Sequence, residues 1–389
     1  MRSAALLLLI AAVGCGAARY RNETPVLTEH IRASQDATWL VMFKAAVLVP
    51  ARDLLTLDPL WRAAFGCPAW NADGAGVADS SFHTNRRADE LTPARVALGA
   101  CTDPPPEPPF TITRLKTSGS TAGVIGTDAQ GRKYMFKLDH ADYPELGTSA
   151  EVIGSRILWA LGYHVPPVYL VRIAGTDDAR FDGRRATATL YLDGVQGHFH
   201  FDWFRQRREL RGLRLASAWL NDTDRVGTNT LVVLRDGRMI GYLIDFNSCL
   251  GAWQGRPKEP WRGWRHEWDV GWFLTRLATC GLAHPEPRPH EPIVSPAVGR
   301  FGVDHFDPLA WRAQVPNNAF EHLTGADLRW IVERIARLEQ SHIEAIVAAA
   351  ELSDPRNADR LVHMLLGRRE RIMALLPLAD GQPDRPVGR

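Results

Sequence analysis

The spacing of apolar residues changes period along this chain, and the changes outline its elements. Phe110 to Lys116, Gly123 to Thr127 and Lys133 to Leu138 are short apolar runs with strand alternation, joined by Thr117–Gly123 and Asp128–Gly131. A helical period follows after Thr148-Ser149 through Ile153, Ile157 and Leu161, and Gly162 ends it. Strand patterns return at Pro166 to Ile173 and at Arg185 to Leu192, and the chain from 207 onward reads first as helix. Leu231–Leu234 and Met239–Ile244 then flank Asp236-Gly237, a strong signal for a two-residue hairpin turn. Beyond them Thr324 and Asp327 have capping-box spacing ahead of one long amphipathic helix through Ile331, Ile335, Leu338 and Ile343. Asn357 to Leu376 forms a last helix.

The pattern predicts an α+β fold in two lobes: a small, mostly antiparallel sheet with one helix over 110–195, and a larger, mainly helical lobe over 196–378. Residues 16–109 read as an amino-terminal extension, with helices from Thr28 to about Phe43 and near Leu54 to Phe65. The run Asp103–Pro109 cannot continue a helix or a central strand and is expected to be an extended spacer. The tail, 379–389, is polar and expected to be disordered.

The first residues change the picture of compartment. Met1-Arg2-Ser3 precedes an uncharged run from Ala4 to Val13 and then Gly14-Cys15-Gly16, the pattern of an export signal, too short to span a bilayer. Residues 1–15 are therefore assigned to a signal, and Cys15 resembles the lipidated cysteine of bacterial lipoproteins, although Ala12 departs from the usual leucine. The expectation is an exported protein, periplasmic or outer-membrane-associated through a lipid on Cys15, without a membrane-spanning helix in its mature form. Unlipidated secretion and a buried amino-terminal strand are the alternatives. In an oxidising compartment the remaining cysteines permit disulfides, with Cys67–Cys101 and Cys249–Cys280 the expected pairs, each closing a loop within one lobe.

A net charge of +2 gives no electrostatic reason to expect nucleic acid as a partner. The basic run Arg205 to Arg214 is expected to form a solvated helix face, an anion-facing surface being the alternative. Thirteen tryptophans are present, and Trp253, Trp261, Trp264, Trp268 and Trp272 crowd together, either as packed core or as a stacking surface.

The candidate chemistry lies at strand ends. Asn229 falls five residues after Asp224, and the hairpin brings Asn229 near Asp245. Carboxylate and carboxamide oxygens together suit a hard cation held against phosphates. Asp224 can orient or deprotonate an attacking hydroxyl, and Asp222 shares that candidacy. Lys137 lies on the same face of its strand as Met135 and so requires a partner, for which Glu151 is the candidate. The connector with Ser118, Gly119, Ser120, Thr121 and Gly123 is small enough for backbone N–H groups to approach a phosphate.

In this order these residues resemble the protein-kinase-like superfamily, in the atypical branch of HipA-type toxin kinases and phosphatidylinositol kinases, over roughly 110–270. The resemblance implies a two-lobed kinase fold and magnesium-dependent transfer of the γ-phosphate of ATP to a hydroxyl acceptor, with manganese as an alternative ion. It also implies roles: Ser118–Gly123 as the phosphate-covering loop, Lys137 on the phosphates, Glu151 holding Lys137, Asp224 as catalytic aspartate, and Asn229 and Asp245 on the metal. Two positions depart from the pattern. Asn247 replaces a glycine, and Val226 stands where a cation is usual, with Arg225 next door as its candidate substitute. An inactive envelope pseudokinase acting as a nucleotide- or protein-binding module is the alternative function. A transition-metal hydrolase using His198, His200 and His266 is a third. Protein, lipid head group and small molecule all stay open as the phosphoacceptor.

Overall fold

The computed structural model describes residues 33–387 except 74–75, 116–122, 177, 269, 284–290 and 382. The export segment with Cys15 and the loop residues Ser118, Gly119, Ser120 and Thr121 lie outside the described residues. The chain has the expected α+β architecture, a small antiparallel sheet beside a larger helical body.

Three helices open the described chain: α1 (Thr38–Phe43), α2 (Val49–Leu55) and α3 (Asp58–Phe65). A fourth, α4 (Pro93–Leu98), has Thr92 as its cap, accepting from the Arg95 amide. The small sheet consists of β1 (Thr111–Leu115), β2 (Gly123–Thr127), β3 (Lys133–Leu138), β4 (Val168–Arg172) and β5 (Arg185–Leu190). All of its pairings are antiparallel and its order is β1-β2-β3-β5-β4. Helix α5 (Leu146–Ala160) connects β3 to β4 and is buried along nearly its whole length. Phe110, Val124, Tyr134, Phe136, Ala186 and Ala188 fill the core of this sheet.

The larger body begins with β6 (Val195–Gly197) and α6 (Arg208–Leu220) and continues into the hairpin β7 (Thr230–Arg235) and β8 (Arg238–Leu243). Asp236 and Gly237 both have positive φ, as a two-residue turn of this hand requires, and Arg235 pairs with Arg238 across it. Helices α7 (Val270–Ala278), α8 (Gly325–Ala336), α9 (Gln340–Ala348) and α10 (Pro355–Met373) follow. The capping box at Thr324 and Asp327 is present. The single long helix expected after it is two, because the chain turns between Ala336 and Gln340 and Glu339 caps a new start. The main core joins α5, α6, α8, α9 and α10 around Trp219, Trp330, Ile331 and Leu365.

Four other expectations differ from the structure. The basic run is not solvated: Arg207, Arg208, Arg211 and Arg214 are buried. Arg207 donates to Glu209 at 2.8 Å, and Arg208 and Arg211 each donate to Asp327 at 3.2 Å, so the charges are paired inside the body. The proline run is not a free spacer, since it packs along the sheet, where Arg132 donates to the carbonyls of Pro104 and Pro105. In the tail, the Cys67 amide donates to the Asp384 carbonyl and the Val387 amide to Leu323. The expected disulfides are absent, and Cys67, Cys101, Cys249 and Cys280 are free thiols. Their sulfurs face different partners: Cys67 donates to Gln206 in the large body and Cys101 to the Val168 carbonyl in the small sheet. Cys249 is buried under α5, and Cys280 is exposed just past α7. No described helix is long and apolar enough to cross a membrane.

Candidate functional site

Lys137 is placed by β3. Its alternation turns the side chain away from the core filled by Tyr134, Phe136 and Leu138, toward α5 and the cleft between the lobes. There its ammonium donates to both oxygens of Glu151, at 2.9 and 3.0 Å, and to Asp245 at 2.9 Å. Burial alone would depress the Lys137 pKa, but Asp245 and Glu151 outweigh it and raise the group above its ordinary value. Glu151 also accepts from the Phe246 amide at 3.0 Å, so a single carboxylate fixes both the lysine and the chain just past Asp245. Gly123, at the start of β2, is the register partner of Lys137.

The opposite wall comes from the hairpin. The Ile244 amide donates to the Asn229 carbonyl at 3.1 Å, which sets the end of β8 beside the start of β7. The Asn229 side-chain nitrogen donates to the Asp224 carbonyl at 2.7 Å, turning its oxygen the other way. Asp245 adopts a left-handed φ of 62°, unusual for a residue other than glycine. Lys137, Asp224, Asn229, Asp245 and Asn247 all line one cleft of about 620 Å³. Burial and the charges of Asp245 and Asp222 push Asp224 up to about 7, a rise that solvent in the cleft moderates, since this side chain is only partly buried.

Asp222 does not share the cleft. It is fully buried and paired with Arg225, whose Nε donates at 2.8 Å. The rest of the Arg225 guanidinium donates to the carbonyls of Asn229 and Ile244, at 2.9 and 2.8 Å, and of Asp245 at 3.4 Å. Arg225 is therefore consumed in tying the Asp224 loop to the chain around Asp245, just past β8, and is not free to replace the cation missing at Val226. Val226 itself is apolar core against Met42, Ala46 and Val315.

Several lining residues escaped the sequence reading. Thr38 and Met42 of α1 reach the cleft, as do Tyr191, Leu192, Trp253 and Gln314. No local signal announces that an amino-terminal helix returns to the loop that carries Asp224. Lys258 was also missed. It is buried and donates to the carbonyls of Asn221, Ser248 and Leu250, clipping together the segments that carry Asp224 and Asp245. Burial pushes its pKa down to about 7.

The histidine set does not converge. His266 bonds the Ala313 carbonyl, while the rings of His198 and His200 stand 5.4 Å apart beside Asp36. Among the described residues no group of three or more His, Cys, Asp or Glu side chains could hold a metal. Magnesium bound together with phosphates needs only one or two protein oxygens, so Asn229 and Asp245 fit that use as a donor set. Within the tryptophan cluster, Trp253 is buried with the Arg262 guanidinium 3.5 Å from its ring centroid, whereas Trp268 is exposed.

No family model matches this chain, and no curated protein matches it. Among solved structures it is similar to the Helicobacter pylori proinflammatory kinase CtkA, with 13% identity over 71% of this chain and 98% of that one and a TM-score of 0.42. It is also similar to HipA of the Shewanella oneidensis MR-1 toxin–antitoxin system, with 12% identity over 73% and 69% of the two chains and a TM-score of 0.32. A MAP kinase from Leishmania major gives 12% identity over 72% and 88% and a TM-score of 0.23. These overlaps are loose, and a function for the cleft has to stand on its own geometry.

Proposed function

We propose that this protein is a magnesium-dependent phosphotransferase of the HipA-like kinase type, passing the γ-phosphate of ATP to a hydroxyl acceptor. One observation carries the reading: the ammonium of Lys137 is shared between Glu151 and Asp245 in the cleft that Asp224 and Asn229 also line. A cation next to two oxygen donors and a carboxylate base is the set that phosphoryl transfer uses.

In this reading Met135, Leu192, Leu231 and Ile244 receive the flat base, and Lys137 turns from Asp245 toward the phosphates while Glu151 keeps it in place. Asn229 and Asp245 would hold the metal, which when bound supplies charge neutralisation at the phosphates. The acceptor oxygen forms its bond to the γ-phosphorus as the bond to the β–γ bridging oxygen breaks, and Asp224 takes the hydroxyl proton. The raised pKa of Asp224 suits it to hold that proton.

Nucleotide binding without transfer is the second reading, and Val226 favours it. An apolar residue stands where a cation would stabilise the transferring phosphoryl group, and Arg225 is already fully bonded. Purified protein with labelled ATP and Mg²⁺ or Mn²⁺ separates the two. Phosphotransfer predicts label on an acceptor, lost in Asp224→Asn and in Asp245→Ala, with nucleotide binding retained in Asp224→Asn. Binding without label in the parent protein selects the second reading, and transfer that persists in Asp245→Ala removes the site assignment.

A further inference from the structure

Residues 38–55 form one helical rod with a break in it. Helix α1 ends where Lys44–Leu48 widens into a π turn, in which the Val49 amide reaches back five residues to the Lys44 carbonyl, and Pro50 has no N–H to tighten the turn that follows. Beyond the break α2 is pinned by charge. Arg52 donates to both oxygens of Asp202 at 2.8 Å and Asp53 accepts from Asn318 at 2.6 Å, while Leu54 and Leu55 face away from the body. Helix α3 is turned the same way, with Arg62 donating to Asp58 at 2.7 Å and Leu60 and Phe65 exposed. Ahead of the break the hold is thinner. Met42 and Ala46 belong to a small apolar cluster with Val226 and Val315, separate from the main core, and a cavity of about 40 Å³ opens beside them between α1 and the body. The remaining hold is polar. Ser34 exchanges backbone bonds with His198 at 2.7 and 2.9 Å, and Lys44 donates to Asp36 at 2.5 Å. The His200 Nε2 lies 3.3 Å from Asp36 but out of line for a hydrogen bond. The His198 ring stands 5.4 Å from that of His200, and its buried Nε2 has no hydrogen-bond partner among the described residues.

We propose that residues 34–43 form a strap on the wall of the cleft, hinged at Lys44–Leu48 and released by acid through His198 and His200. With both imidazoles neutral, Asp36 and Lys44 balance each other. With both protonated, two imidazoliums and an ammonium surround one carboxylate in a half-buried place, and nothing offsets the excess charge. Among the described residues no further acid is free to help: Asp202 is held by Arg52, and Arg225, which also lines the cavity, is held by Asp222. Burial first, then Lys44 and for His200 the neighbouring His198, keep both histidines below their ordinary 6.5. The hold is whole above that value and is lost as pH falls below it, because the released strap takes up protons that the docked strap refuses. Release withdraws Thr38 and Met42 from the cleft and uncovers Val226. The arginine and aspartate pairs that pin α2 keep their charges across this range, so the far side of the hinge stays in place.

Hydrogen exchange of the full chain at about pH 7.5 and about pH 5.5 tests this, with each rate divided by that of an unstructured peptide at the same pH. Protection of 34–43 is expected to fall about tenfold at the lower pH, and that of 49–55 and β3 to stay unchanged. His198→Leu with His200→Phe should keep the strap protected at both pH values. Lys44→Met leaves Asp36 to the histidines and is expected to move release to lower pH, so it carries the test if the double variant does not fold. A parent strap equally protected at both pH values overturns the proposal, as does a fall that persists in the double variant or that Lys44→Met leaves unmoved. A fall shared by 49–55 and β3 also overturns it, since the whole chain would then be unfolding in acid. Exchange is read without nucleotide, so the outcome stands apart from the phosphotransfer proposed for the cleft.

Discussion

Asp224 and Arg225 are adjacent in sequence and opposite in circumstance. Arg225 is saturated by Asp222 and three backbone carbonyls, while Asp224 faces the cleft with two other carboxylates near it. Because the folded state raises the Asp224 pKa above its ordinary 3.8, it binds a proton that the unfolded chain has already released between 3.8 and about 7. Stability from this residue is therefore complete below that window and lost as pH rises through it. Asp224→Asn removes the penalty, so the variant should match the parent at about pH 4 and exceed it in stability at about pH 8. Urea unfolding at the two pH values checks this, and a variant that gains nothing at the higher pH contradicts the assigned environment. The Lys137–Glu151 pair was legible from strand alternation and the helix that follows, because a lysine on an inward face must find a carboxylate. Lys258 was not legible, because its partners are backbone carbonyls and no residue type marks those.

Among the elements, α5 supplies Glu151 to Lys137 and packs on the loop after Asp245. Gly154 lies where its outer face meets the loop after Asp245, and a Cβ added there would stand 2.8 Å from the Cys249 sulfur and 3.1 Å from the Phe246 Cβ. Alanine in a helix interior is normally favoured over glycine by about 1 kcal/mol. Overpacking of a filled core costs about 1–3 kcal/mol, so the net effect of Gly154→Ala should be destabilising. Cys249→Ala in the same chain should recover much of the loss, which a double-mutant cycle by chemical denaturation measures. The β7–β8 hairpin was readable from Asp236-Gly237 because turn chemistry is local. The break between α8 and α9 was not, since the apolar period continues across it and the turn follows from packing Leu338 and Ile343 into the core.

At the scale of the whole molecule, the amino-terminal extension is part of the larger body and of the cleft wall. Met42 of α1 packs on Val226 in the loop that carries Asp224 and also lines the cleft. Met42→Asp would place a carboxylate in that contact and should free residues 33–48 without unfolding the small sheet. Hydrogen exchange resolved along the chain should then rise in 33–48 and stay low in β2, β3 and β5; a uniform rise would mean that the extension and the sheet unfold as one unit.

The sequence by itself determined what short-range rules govern: the strands and their turns, the capping box, and the order of lysine, glutamate, aspartates and asparagine that the fold gathers around one cleft. Only the tertiary structure decided which faces meet water. Arg211 finds Asp327 across 116 positions, and Arg52 finds Asp202 across 150, so a basic run turned inward and a leucine-rich helix pair turned outward. The energy that orients an amphipathic face comes from partners far away in the chain, and no local pattern of residues contains them.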